Sequence, residues 1–137
     1  MRRAAIKRKA DAWRLLSTCE SQHARAAGYL GGYAIECKLK AIAMEIHECF
    51  TLADLALKRK VHRQDVYTHG LEVFAKRLTP TLWKRLLQSD VSGDFRAQVN
   101  RWRTAWRYSP KDWTCGQAES FLRAVDRVYQ WLESNRA

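Results

Sequence analysis

Glycine and proline are scarce in this chain, six and two in 137 residues, so collagen-like, linker-like and turn-dense β architectures are excluded. Long uncharged apolar runs are missing too, and a membrane-spanning helix needs about 18 such residues or more. The basic start MRRAAIKRKADAW has no apolar stretch behind its cations and does not read as a secretory signal. A cytoplasmic protein is expected. None of Cys19, Cys37, Cys49 and Cys115 forms a C-x-x-C pair, which removes zinc-finger and redox-motif readings. Without an export signal, disulfides are not expected either. The dinucleotide fingerprint, the P-loop, H-E-x-x-H, the EF-hand loop and the nucleophile elbow are all absent. No cofactor and no metal is expected. His62, Asp65, His69 and Glu72 stand at helical spacings, but half of them fall in a connecting segment.

Acids are the other shortage. Asp and Glu number 14 against 25 Lys and Arg, a net charge of +11. Such an excess on a small body steers phosphates or an acidic partner toward it. From charge alone, nucleic acid, an acidic partner and plain solubility all remain open. What the chain does have is 47% apolar and 28% charged residues, the balance of one folded domain spanning 1–137. Its basic end, 1–9, carries Arg2, Arg3, Lys7, Arg8 and Lys9 at a helix start, where cations oppose the macrodipole. A frayed, solvated end is expected there, against the sharper reading of an arm that touches phosphate.

The apolar spacing is helical nearly throughout. A first helix is predicted over 4–17. A second, over 20–48, carries one apolar stripe at Ala27, Leu30, Ala34, Cys37, Ala41 and Met44. Ile35, Leu39, Ile42 and Ile46 make another stripe, so this helix should be central to a bundle. Ala24, Gly28 and Gly32 form a ridge of small residues, which implies close approach of a neighbouring helix or a second subunit. Its third face bears Tyr29, Tyr33, Glu36, Lys40 and His47, a candidate enclosed polar cluster. Shorter helices are predicted after Thr51, over 68–78 and over 81–88. A helix over 94–108 would bury Phe95, Val99, Trp102 and Trp106 and align Arg96, Asn100, Arg103 and Arg107 on its polar side. Ser109-Pro110 should end it. The last helix, over 116–134, is strongly amphipathic. Trp113 is expected to be the exposed tryptophan. The fold class is all-α, an antiparallel four- to five-helix bundle.

The stretch from Ala24 to Ala41, ARAAGYLGGYAIECKLKA, resembles the second helix of HEPN domains, which commonly show A-x-Y-L-x-x-Y-A-x-E-x-x-L-K-A. Thr68-His69-Gly70-Leu71 is similar to the family's H-[DG]-L lead-in to its next helix. Trp106-Arg107-Tyr108-Ser109-Pro110 is similar to its R-Y segment, and the helix from Ala118 to Leu132 to its last one. The resemblance implies a helical bundle, often a homodimer. It also implies a place in prokaryotic or phage defence or toxin–antitoxin modules, where many members cut RNA without metal. Active members carry a late R-x(4–6)-H motif, the arginine holding phosphate and the histidine serving as acid or base. This chain departs from that pattern, since no histidine follows Arg101, Arg103 or Arg107. Arg63…His69 has the spacing, but a chain so rich in arginine yields about one such match by chance.

The candidate catalytic residues are therefore His69 with Arg107 or Arg103, should the fold bring them together. The competing reading has His69 orienting its helix and Arg107 paired with Glu36. Glu36, Lys40, Tyr33 and Tyr108 are the candidate polar cluster. Lys58, Arg59, Lys60 and Arg63 are candidate RNA contacts. The expected partners are RNA, a second copy of the chain, or an acidic protein such as an antitoxin or a nucleotidyltransferase. The expected activity is that of an RNA-directed protein, in one form a metal-independent endoribonuclease. The alternative is an inactive subunit that binds a protein partner or a nucleotide.

Overall fold

The computed structural model describes residues 1–18, 20–108 and 113–136, with Ser21 and Gln22 described by backbone only. It is all-α, with no strand among the described residues. Three long helices, α1 (Arg2–Leu16), α2 (Ser21–Ile46) and α8 (Cys115–Ser134), form the body. Five shorter ones complete it: α3 (Leu52–Arg59), α4 (Arg63–Tyr67), α5 (Leu71–Leu78), α6 (Pro80–Leu87) and α7 (Ser92–Ala97). None is long and apolar enough to cross a membrane among the described residues.

Contacts between the long helices fix their directions. Arg2 meets Glu133, whereas Lys9 and Trp13 meet Asp126, so α1 runs antiparallel to α8. Gly31 faces Leu122 while Lys38 reaches Glu133, so α2 runs parallel to α8. The cationic end read as frayed is instead the first two turns of α1. It is tied down by Arg2 on Glu133, Ala5 in the core and Lys9 over the Tyr129 ring.

Both apolar stripes of α2 are largely buried, with Ile46 exposed at the helix end. Its small-residue ridge faces side chains of the same chain. A Cβ on Gly32 would overlap the Trp102 ring, and one on Gly28 would stand 2.7 Å from Trp113. These glycines are what let two indoles lie against the α2 backbone. Trp113 is accordingly half-buried and packed on the core, not an exposed residue. α8 begins on a capping box, Thr114 Oγ1 accepting from Gln117 N–H while Gln117 Oε1 accepts from Thr114 N–H. Its inner side, Ala118, Phe121, Leu122, Val125, Val128, Tyr129 and Leu132, is buried, as its amphipathic pattern implies.

The predicted helix over 94–108 does not exist as one element. After α7 come two 3₁₀ turns, Val99–Arg101 and Thr104–Arg107, separated by extended backbone at Trp102 and Arg103. The break drops Trp102 onto Gly32, where its indole N–H donates to the Tyr29 carbonyl at 3.0 Å. Trp106 is then free to turn toward Phe121 and Trp113. Docking these two rings on different partners outweighs the modest helix propensity of Val, Thr and Trp in this segment. The single stripe of guanidiniums is lost with the helix. The proline expected to end it lies outside the described residues, as does Cys19. Cys37 and Cys49 are free thiols, and burial pushes the Cys37 thiol up. Cys115 is disulfide-bonded, contrary to the expectation of reduced cysteines.

Candidate functional site

The polar face of α2 divides into two regions. In the C-terminal half, Glu36 and Lys40 are both buried and bonded at 2.7 Å across one helical turn. The stem before α5 brings in His69, whose Nδ1 lies 3.0 and 3.1 Å from the two Glu36 oxygens. A carboxylate only accepts, so Nδ1 carries the proton and Nε2 is the nitrogen left to other partners. The His69 side chain is 59% exposed whereas that of Glu36 is 6% exposed. A buried acid thus orients a solvent-facing imidazole, the relation between a general base and its orienting group. The other residues once grouped with His69 go elsewhere. Asp65 meets Arg77, and Glu72 takes Lys76 and Asn100. No group of three or more potential metal ligands gathers among the described residues.

In the N-terminal half, three arginines converge on one cavity of about 340 Å³. Arg25 comes from α2, Arg8 from α1 and Arg107 from the second 3₁₀ turn, with Tyr29, Tyr33 and Trp106 among its walls. None of the three arginines has an ion pair, and no carboxylate lines the cavity, among the described residues. Arg8 lies 5.2 Å over the Tyr33 ring, and its Nε is buried with no hydrogen-bond partner. A buried donor without a partner in the chain is uncommon. Tyr33 stacks on Trp102, 6.4 Å between ring centres. Burial, with help from Cys37 and Glu36, raises the Tyr33 hydroxyl above its ordinary range and keeps it a neutral donor.

The candidate residues fare differently. Glu36, Lys40 and His69 are brought together. Arg107 is not on Glu36 but in the cationic cavity. His69 bonds Glu36, whereas Arg107 lines the cavity with Tyr29, a position about two turns earlier on α2. Arg103 is turned onto its own backbone, donating to the Asn100 and Trp102 carbonyls at 2.8 Å each. Tyr108 is 79% exposed beneath Arg107 and stands outside the polar cluster. Lys58, Arg59 and Lys60 are exposed around the end of α3, and Arg63 opens α4 over the Tyr67 ring. They make a second basic surface that does not line the cavity.

Arg8 and Arg25 were missed as site residues. Arg25 had a readable signal, since it precedes Tyr29 by four and Tyr33 by eight and so extends their face by one turn. Arg8 was named only within the basic end weighed as a phosphate-touching arm, and only the folded contact of α1 with α2 puts it in the cavity.

Compared with protein-family models, with curated proteins and with solved structures, the chain matches none. Fold and site together define an all-α protein with a cationic, aromatic-walled cavity beside a buried Glu–Lys pair that holds one histidine.

Proposed function

We propose that this chain is an RNA-directed, HEPN-like protein of a prokaryotic or phage defence or toxin module. The observation that carries the RNA reading is the cavity of Arg8, Arg25 and Arg107, which gathers three cations without an acid among its described lining. Like charges held together without counter-charge are unfavourable until an anion joins them. The walls decide between anions. Tyr29 and Trp106 border the cavity with aromatic rings, which nucleobases use and acidic side chains do not, while the Tyr33 ring is already covered by Arg8 and stacked on Trp102. The HEPN part rests on the α2 pattern and its companion segments, and the all-α fold accords with it.

The test is fluorescence anisotropy of a labelled single-stranded RNA titrated with the protein between low and moderate salt. Binding that weakens steeply with salt, and more than poly-glutamate can compete away, is expected. Failure to bind RNA at low salt, or displacement by poly-glutamate at equal charge, would sink the RNA reading in favour of an acidic partner.

One observation favours endonucleolytic cutting over mere binding: the His69 imidazole, held through Nδ1 by Glu36, presents Nε2 outward. In that reaction the ribose 2′-hydroxyl gives its proton to Nε2 and its oxygen attacks phosphorus. The P–O5′ bond breaks and the leaving oxygen takes a proton from solvent. The products are a 2′,3′-cyclic phosphate and a 5′-hydroxyl end. Incubation with total RNA in EDTA checks this. Cleavage lost in His69→Ala and in Arg107→Ala supports the nuclease. RNA left intact by a folded wild type supports the inactive-subunit alternative.

A further inference from the structure

Trp106 is the common wall of two cavities. On one side lie the three arginines. On the other is a larger cavity of about 700 Å³, bounded by Trp106, Trp113, Phe121, Gln98, Gln117 and Arg101. Its rings are set edge to face: Trp106 and Trp113 are 4.7 Å apart at 65°, and Trp113 and Phe121 are 5.6 Å apart at 79°. The polar wall can both donate and accept. Gln98 reaches Ser120 only at 3.4 Å, and Gln117 uses its carbonyl oxygen in the α8 cap, which leaves its amide hydrogens available. The volume lies within the range of small-ligand sites, and the mixture of aromatic faces with a few amides and hydroxyls is their usual lining.

We infer that this second cavity is a nucleobase subsite: it takes one unstacked base of a single strand whose phosphate rests on Arg8, Arg25 and Arg107. The inference deepens the RNA reading and rests on it. A phosphate and a base of one strand are joined through a sugar, so a backbone-binding cavity and a ring-lined cavity separated by a single indole suit neighbouring parts of one chain. A base inside a duplex is stacked and paired, and reaching this cavity would require unpairing it. An apolar small molecule would suit the rings but would leave the three guanidiniums unused.

The experiment compares three ten-nucleotide RNA probes on the full chain at one salt concentration. One is a single strand, one has the same backbone with abasic residues, and one is a duplex. The base-bearing single strand is expected to bind about 10- to 100-fold tighter than the abasic one, and tighter than the duplex. Equal affinity for the base-bearing and abasic strands would overturn the subsite and leave RNA binding through phosphate intact. No binding of any probe at low salt would overturn both. Trp113→Ala should erase the preference while abasic binding persists. Because Trp113 packs on Gly28 and its loss could loosen the fold, Ser120→Trp is the second variant. It fills the same cavity from an exposed position of α8 and should erase the preference equally. Retained preference in a folded Ser120→Trp protein would overturn the assignment. Arg107→Ala should weaken the base-bearing and abasic strands alike.

Discussion

The two ends of one helical face treat charge in opposite ways. Around Glu36, charge is matched: one buried carboxylate holds Lys40 and His69. Around Arg25, roughly three turns earlier on α2, charge is unmatched. There three guanidiniums meet without an acid among the described residues, and one buried nitrogen has no partner. Matched charge in a protein interior belongs to the fold, because either partner left alone would be costly. Unmatched charge of one sign, gathered from three separate elements, stabilises nothing in the chain itself. Its use lies in what it attracts. Breaking each end should therefore give opposite results, with stability lost at the first and binding lost at the second.

The largest expected effect is at the matched end. Glu36→Ala strands the buried Lys40 ammonium and should cost about 4 kcal/mol in urea unfolding. The sharper form is the pair Glu36→Leu with Lys40→Met, which removes both charges and should recover most of that loss. If the double variant were as unstable as the single one, the pair would be more than a satisfied charge, and packing of its stems would carry the difference.

Next is the element both ends share. Gly32→Ala forces a methyl into the Trp102 ring, which stacks on Tyr33 and bonds the Tyr29 carbonyl. A loss of about 3 kcal/mol is expected from this overpacking, with the near-ultraviolet circular dichroism of the aromatic stack altered. The same site shows what the sequence could tell. The apolar stripes of α2 and α8 were legible because both helices repeat their pattern over many turns. That Glu36 and Lys40 are enclosed was legible from the stripes flanking them. What the glycine ridge approaches was not, since spacing names a close contact but never its partner. The segment over 94–108 misled for a related reason. Phe95, Val99, Trp102 and Trp106 keep helical spacing, yet the rings serve two different docking places and the helix breaks between them. His69 came to Glu36 across 33 residues of chain, and Arg8 to Arg25 across a helix pair. Such meetings follow from tertiary packing, to which a local pattern is blind.

A third matched pair, on another face of α2, tests the rule with acid. Lys38 is 1% exposed and bonds Glu133, with the Tyr129 ring 5.0 Å away. The bond from Lys38, aided by the charges of Lys38, Arg136 and Arg2, holds the Glu133 carboxyl below its ordinary 4.5. A carboxyl lowered on folding contributes stability above its unfolded value and loses it as pH falls through the folded one. Thermal unfolding followed from pH 6 down to pH 2 should show stability falling from about pH 4.5 downward. In Glu133→Gln that decline should be shallower and the stability at pH 6 lower, since the buried Lys38 ammonium loses a carboxylate that solvent only partly screens. An unchanged acid limb in the variant would place the acid sensitivity elsewhere, with Asp94 on Arg127, Glu72 on Lys76 and Asp11 on Lys7 as the other lowered carboxyls among the described residues.

The smallest effect on stability is expected at the unmatched end, and it is the most informative. Arg25→Ala and Arg107→Ala remove a cation that has no ion pair among the described residues. Each should leave the unfolding free energy within about 0.5 kcal/mol of wild type, or raise it slightly by relieving repulsion. RNA affinity should fall in both. The decisive quantity is the slope of log K against log salt. Each lost phosphate contact on a single strand should reduce it by about 0.7, and the two variants together by about twice that. A loss of affinity with an unchanged slope would mean that the arginines shape the cavity without touching phosphate. An unchanged affinity and slope would mean that the strand runs over Lys58, Arg59, Lys60 and Arg63, and that the cavity holds some other anion. Stability without binding at one end of α2, and binding without stability at the other, is the outcome that keeps the two regions distinct.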